Sequence, residues 1–294
     1  MTELKRIKTK LSIHSRKRSI LMLEGEYVSS LQGKSLDFDD LREYVYGDDV
    51  RDIDWRASAK QQTPLVKRYV ANRKHNVLFV YDSSATMLAA TPEYQPKYEL
   101  ASEVVGVLGY IAVKHNDNVG LLTISNNKLE RLPFRGGENH VNRILDSMEK
   151  ATVNNQEAIN IEQLLTQANL MSRNRTIMVV IANEAEPSLE LEQLIKKLQH
   201  KHDVIWVSIA DINPITIPRE YDVVDVVDII NIPDGLRMDP ELMNNVFLEQ
   251  EAKKHQLNEF LKSLRTSHLM LAASADTIPS LITMLKRREN GKRV

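Results

Sequence analysis

The stretch Asn76–Met87, NVLFVYDSSATM, constrains this chain most, because an unbroken apolar run, Val77–Val80, ends abruptly in Asp82-x-Ser84-x-Thr86. A short run without polar alternation predicts a strand buried on both faces, as in a parallel sheet. A helical pattern follows from Lys97, with Leu100, Val104, Leu108 and Ile111 on one stripe. In open α/β sheets, ligands sit beyond the carboxyl ends of the strands. A carboxylate and two hydroxyls spaced two residues apart at such an end can converge on a hard cation such as Mg²⁺. Asp82 and Ser84 can equally cap the turn into the next helix. The residue pattern by itself leaves both readings open.

The alternation of strands and helices continues along the chain. Strands are expected at Val77–Tyr81, Val119–Ile124, Thr176–Ala182, Asp203–Ala210 and His268–Ala273, with Lys128–Pro133 as a hairpin partner across Ser125-Asn126-Asn127. Helices are expected over Lys97–His115, Glu138–Glu149, Ile161–Met171, Leu189–Lys201, Pro240–Arg265 and Thr277–Arg288. This order predicts a mainly parallel, doubly wound α/β sheet with helices on both faces. The segment Asp222–Ile232 reads as an edge strand or extended loop. Residues Glu24–Lys74 lack helical periodicity and are rich in turn residues, so they read as short strands and loops, with one strand at Pro64–Val70. Two parts result: a small β-rich N-terminal subdomain, 1–74, and an α/β domain with C-terminal helices, 75–294.

Composition excludes several function classes. A net charge of −1 gives no whole-molecule attraction to nucleic acid, so no nucleic-acid partner is expected. The chain has no cysteine, which removes disulfides, thiolate metal sites and cysteine nucleophiles, and fits a reducing compartment. No stretch approaches the ~20 apolar residues of a membrane span. Ile20–Leu23 is too short for the core of a secretory signal, so a cytoplasmic location is expected. Basic residues gather near both ends, Lys5 to Arg18 and Lys286 to Arg293, and read as solvated faces or frayed termini. No P-loop, G-x-S-x-G elbow or H-E-x-x-H pair occurs. A phosphatase that uses an aspartate nucleophile at a strand end carries a second acid two residues on, and here that position is Ser84. A metal-dependent hydrolase or phosphatase using Asp82 is therefore the alternative to a non-enzymatic function.

One block is far more specific than these patterns. Phe38 to Lys60 reads FDDLREYVYGDDVRDIDWRASAK and is followed by Val66-Lys67-Arg68-Tyr69. It resembles the signature of the domain of unknown function 58 family, in which it precedes a von Willebrand factor A-like domain. Gly25-Glu26-Tyr27 and Ser30 extend the resemblance upstream. The resemblance implies a partnership with a MoxR-type AAA+ ATPase in assembling, maturing or remodelling a protein client, with no catalysis by this chain. It also implies a metal-ion-dependent adhesion site holding Mg²⁺ or Mn²⁺, completed by a carboxylate from the partner. The site's first motif maps onto Asp82, Ser84 and Thr86. Its threonine element falls on the loop Gln156–Asn160, which has no threonine, and its distal aspartate falls on Asn183. An amide oxygen at 183 coordinates without charge and weakens such a site. Within the signature, Arg42, Asp48, Asp49, Arg51, Asp54 and Trp55 are candidate partner-binding residues. They read equally as architecture, with arginines pairing with aspartates, Gly47-Asp48 making a turn and Trp55 anchoring the subdomain.

Overall fold

The computed structural model describes residues 4, 7, 17–32, 37–70, 74–155, 159–183, 185–212, 217 and 239–291. In chain order they form α1 (Lys17–Tyr27), β1 (Asp37–Glu43), α2 (Trp55–Gln61), β2 (Leu65–Val70), β3 (Asn76–Tyr81), α3 (Lys97–Lys114), β4 (Asn118–Ser125) and β5 (Lys128–Arg135). Beyond these lie α4 (Glu138–Asn154), α5 (Ile161–Met171), β6 (Ile177–Ala182), α6 (Leu189–Gln199), β7 (Asp203–Ile209), α7 (Pro240–Ser263), β8 (Ser267–Leu271) and α8 (Thr277–Gly291). The chain divides into two compact units, Met1–Leu31 with His75–Val294, and Gln32–Lys74.

The larger unit carries a six-stranded sheet in the order β5-β4-β3-β6-β7-β8. All neighbours are parallel except the β4–β5 hairpin at one edge. This is the doubly wound arrangement that the sequence predicts, with its switch point between β3 and β6. Side chains of β3 alternate between two cores: Val77, Phe79 and Tyr81 join one with α1, α3, α4 and α8, while Leu78 and Val80 join the other with α5, α6 and α7. Both faces are covered, which is why the strand shows no polar alternation. Each such fully buried side chain contributes about 1.5–3 kcal/mol. The hairpin turns on Asn126 and Asn127, both with positive φ (50° and 58°), as a two-residue turn of matching twist requires. β5 runs through Pro133 to Arg135, two residues past the expected end. An edge strand tolerates a proline, since that N–H has no inner neighbour to serve.

The N-terminal residues depart from expectation. Lys17–Tyr27 is helical, which includes the start of the Glu24–Lys74 stretch expected as strands and loops, and Leu23 and Tyr27 are buried in the larger unit's core. Gly25 and the exposed Leu21 and Met22 dilute the helical pattern, so the stripe is hard to see in the sequence. Within the basic run, Leu4 and Ile7 are also buried in that core, three residues apart on one face. A Cβ on Gly106 of α3 would lie 2.6 Å from Ile7 Cδ1, so the absence of a side chain at 106 admits Ile7. The smaller unit thus spans Gln32–Lys74 rather than 1–74: residues 1–31 go with the α/β unit.

The smaller unit pairs β1 with β2 in antiparallel register. Between them lies α2, also expected as loop. Asp54 caps it, accepting from the N–H groups of Arg56 and Ala57 at 3.1 and 3.0 Å. One turn later, Ser58 Oγ donates to Asp54 O at 2.7 Å and accepts from Leu65 N–H at 2.8 Å, tying helix to strand. A helix of two turns is too short to register as a period. The segment Asp222–Ile232 lies outside the described residues. No helix among the described residues is long and apolar enough to cross a membrane.

Candidate functional site

Beyond the carboxyl ends of β3 and β6, the switch point of the sheet, the chain gathers polar side chains. Asp82 N–H donates to Ile181 O at 2.9 Å, extending the β3–β6 ladder by one residue and fixing the carboxylate over the crevice. Its Oδ1 accepts from Ser84 N–H at 2.9 Å and its Oδ2 from Asn183 N–H at 3.4 Å. The Ser84 and Thr86 hydroxyls are bonded to each other at 2.7 Å. All four residues expected at a metal site, Asp82, Ser84, Thr86 and Asn183, therefore meet. Burial pushes the Asp82 carboxyl above the ordinary carboxylate range, against the pull of the Ser84 and Asn183 donors and the charge of Lys97.

The base of the site is rigid. Ser83 Oγ donates to Ile124 O and accepts from Thr123 Oγ1, and Ser83 O accepts from Asn155 Nδ2 at 3.2 Å. Tyr81 OH lies 2.7 Å from Thr152 Oγ1. These bonds lock the loop to β4 and α4, and every donor involved is buried.

Two residues that sequence reasoning missed complete the cluster. Lys97, the first residue of α3, is fully buried, and its Nζ donates to Asn183 Oδ1 at 2.8 Å. The same ammonium pairs with Asp211, in the loop after β7, whose side chain is 30% exposed. Lys97 N–H donates to Ala89 O at 2.9 Å, which sets the start of the helix. A signal was present: a cation in a helix's first turn opposes the helix dipole, so Lys97 called for another reason to be there. Asp211 gave no comparable signal.

The divalent cation that the resemblance implies can be tested against these donors. The N–H groups on the two Asp82 oxygens leave each oxygen a second lone pair, but Asn183 Oδ1 accepts from the Lys97 ammonium, so a positive charge already occupies the cluster. Among the described residues, no group of three or more His, Asp or Glu stands together as metal ligands do. Glu184 and Gln156–Ala158 lie outside the described residues, and Asn160 caps α5 by accepting from Gln163 N–H at 2.7 Å. The donor set does not fit a divalent cation.

In the smaller unit, two arginines of the signature block pair with aspartates of the same block. Arg42 Nη2 donates to Asp48 Oδ1 at 2.6 Å, and Asp48 Oδ2 accepts from Val45 N–H at 2.9 Å. These bonds close the turn through Gly47, whose φ of 109° excludes a side chain without strain. Asp49 accepts from both the backbone and the guanidinium of Arg51. The Arg42 and Arg51 guanidiniums hold the Asp48 and Asp49 carboxyls below the usual range. Trp55 does not anchor the unit as expected. It is 66% exposed, because α2 buries Ser58 instead. Tyr46 is 97% exposed, and Val45 and Val50 are exposed beside it in sequence.

Residues 40–230 match the family model described as a protein of unknown function, DUF58. An uncharacterized protein of Mycobacterium bovis and another of Mycobacterium tuberculosis are each 22% identical over 281 residues, 92% of this chain and 85% of theirs. Among solved structures, an aerotolerance-related membrane protein from Bacteroides fragilis aligns over 72% of this chain and 99% of its own, at 15% identity and a TM-score of 0.46. A von Willebrand factor type A protein from Catenulispora acidiphila aligns over 75% and 44%, at 11% identity and a TM-score of 0.38. With the family model spanning most of its length, and with the signature block closed as described, the chain belongs to the DUF58 family.

Proposed function

We propose that this protein is a non-enzymatic interaction adaptor that works with a MoxR-type AAA+ ATPase in the assembly or maturation of a protein client. One observation carries the reading: the signature block pairs Arg42 with Asp48 and Arg51 with Asp49 while leaving Val45, Tyr46, Val50 and Trp55 in solvent. Exposed tryptophan and tyrosine on a closed, rigid scaffold are the residues that most often dominate protein–protein binding energy. Docking of the ATPase is assigned to this block, and contact with the client to the carboxyl end of the larger unit's sheet.

The hydrolase alternative is less well supported. A phosphatase that uses an aspartate nucleophile at a strand end carries a second acid two residues on, and here that position is Ser84, whose hydroxyl is bonded to Thr86. Binding of a purified MoxR-type ATPase from the same organism to the immobilised full chain tests the proposal. The expected result is saturable binding that Trp55→Ala and Tyr46→Ala each weaken tenfold or more, and that Asp82→Ala leaves unchanged. Absence of binding, or equal binding by all four proteins, overturns it.

A further inference from the structure

We propose that the Lys97 ammonium is the resident cation of the switch-point cluster, taking the part that Mg²⁺ or Mn²⁺ plays in an adhesion-type site, so that the cluster takes up no divalent ion. The inference is independent of the adaptor reading.

Three observations converge on it. First, Lys97 joins the ends of separate strands, since its Nζ donates to Asn183 after β6 and to Asp211 after β7. Linking strand ends through one central positive charge is the structural work of a metal in such a crevice. Second, the ammonium is fully buried at the N-terminal end of α3, where both desolvation and the helix dipole oppose it. It is retained against both because its partners are arranged around it. Third, the departure at Asn183 makes chemical sense with a lysine present. The double charge of a divalent ion is better balanced with carboxylates after both β3 and β6, whereas one positive charge facing Asp82 and Asp211 would be over-balanced by a third acid. A neutral amide at 183 supplies an acceptor without a charge, which is what an ammonium's second N–H needs. Asn183 and Lys97 are thus two parts of one substitution of chemistry.

The test uses the full chain, stripped with chelator and titrated with Mn²⁺ by electron paramagnetic resonance and with Mg²⁺ by calorimetry, alongside thermal melting. Wild type is expected to show no saturable uptake of either ion into the millimolar range, and no change in melting temperature on adding ion or chelator. Lys97→Ala, which leaves Asp82, Asn183 and Asp211 facing a vacated space, is expected to melt several degrees lower and to regain part of the loss with Mg²⁺ or Mn²⁺. Saturable sub-millimolar uptake by wild type overturns the proposal, as does a Lys97→Ala protein that melts with wild type. Should Lys97→Ala fail to fold, Lys97→Arg keeps the positive charge and is expected to fold without taking up ion. Ion uptake by Lys97→Arg equally overturns the proposal.

Discussion

The switch-point cluster of the larger unit and the signature block of the smaller one use the same residue types in opposite ways. Around Asp82 the charges are inside: Lys97 is fully buried and Asp82 nearly so. In the block the charges lie at the surface, Arg42 with Asp48 and Arg51 with Asp49, while the aromatics stand in solvent. Burial sets the energetic weight of each pair. A buried charge that loses its partner destabilises strongly, whereas exposed pairs are screened by water and contribute little. The cluster is therefore built to hold strands in place. The block holds a loop's shape and presents apolar surface.

The largest expected effect is on the buried charge. Lys97→Met keeps the stem and removes the ammonium, leaving Asn183 Oδ1 and Asp211 without their shared donor. A loss of about 3–5 kcal/mol in urea unfolding of the full chain is expected. A change under about 1 kcal/mol would erase the contrast between the two regions. Next comes Tyr27, whose hydroxyl donates to the buried Asp117 at 2.9 Å and whose ring stacks on His115 with centroids 6.0 Å apart. Tyr27→Phe retains the stack and removes one donor from that carboxylate, an expected cost of about 1–2 kcal/mol. An unchanged unfolding midpoint would mean that α1 is held by packing alone.

Where periodicity and burial agreed, the sequence was legible. β3 was visible because both its faces are apolar, and α5 was found residue for residue because Ile161, Leu164, Leu165 and Ala168 repeat at helical spacing. Asp82, Ser84, Thr86 and Asn183 were placed together by the family motif, and they meet. What stayed hidden depends on tertiary contact. Leu4 and Ile7 sit among lysines and arginines, and only the gap at Gly106 shows why they are buried. Trp55 looked like an anchor because tryptophan is usually inside, but a two-turn helix can bury only one side, and that side carries Ser58. Lys97 and Asp211 are more than a hundred residues apart, and nothing local joins them.

Acid separates the two units in a second way. Burial lowers His202 and His268 in the larger unit from 6.5 to about 4. Between those values the unfolded chain binds protons that the folded chain refuses. Their contribution to stability is complete above about pH 6.5 and is lost as pH falls towards about 4. Asp48 and Asp49 in the smaller unit are lowered from 3.8, so their contribution persists above that value and fades only at lower pH. At pH 5 the two histidines thus weaken the larger unit, against the opposite contribution of Asp82, whose raised carboxyl protonates more readily folded than unfolded, while the block's ion pairs are not weakened. Each unit holds one of the two tryptophans, Trp206 and Trp55, so Trp55→Phe leaves Trp206 as a reporter of the larger unit. Its fluorescence melt is expected to fall between pH 7.5 and pH 5, and His202→Leu to reduce that fall. His202 suits this test because neither of its buried ring nitrogens has a hydrogen-bond partner among the described residues. A melt that does not move with pH would contradict the neutral burial of both histidines.

The smallest expected effect on stability belongs to the residue expected to matter most for binding. Trp55 is 66% exposed, so Trp55→Ala removes little buried surface, and the cap at Asp54 and the Ser58 link to Leu65 do not involve the indole. A change within about 0.5 kcal/mol is expected in unfolding of the full chain. Binding of the MoxR-type ATPase should behave oppositely, because an exposed indole gains its apolar burial only when a partner covers it. The two readouts form a single test. A large loss of stability with binding intact would make Trp55 an architectural residue after all. Stability unchanged with binding lost would give the block its place as the protein's docking surface.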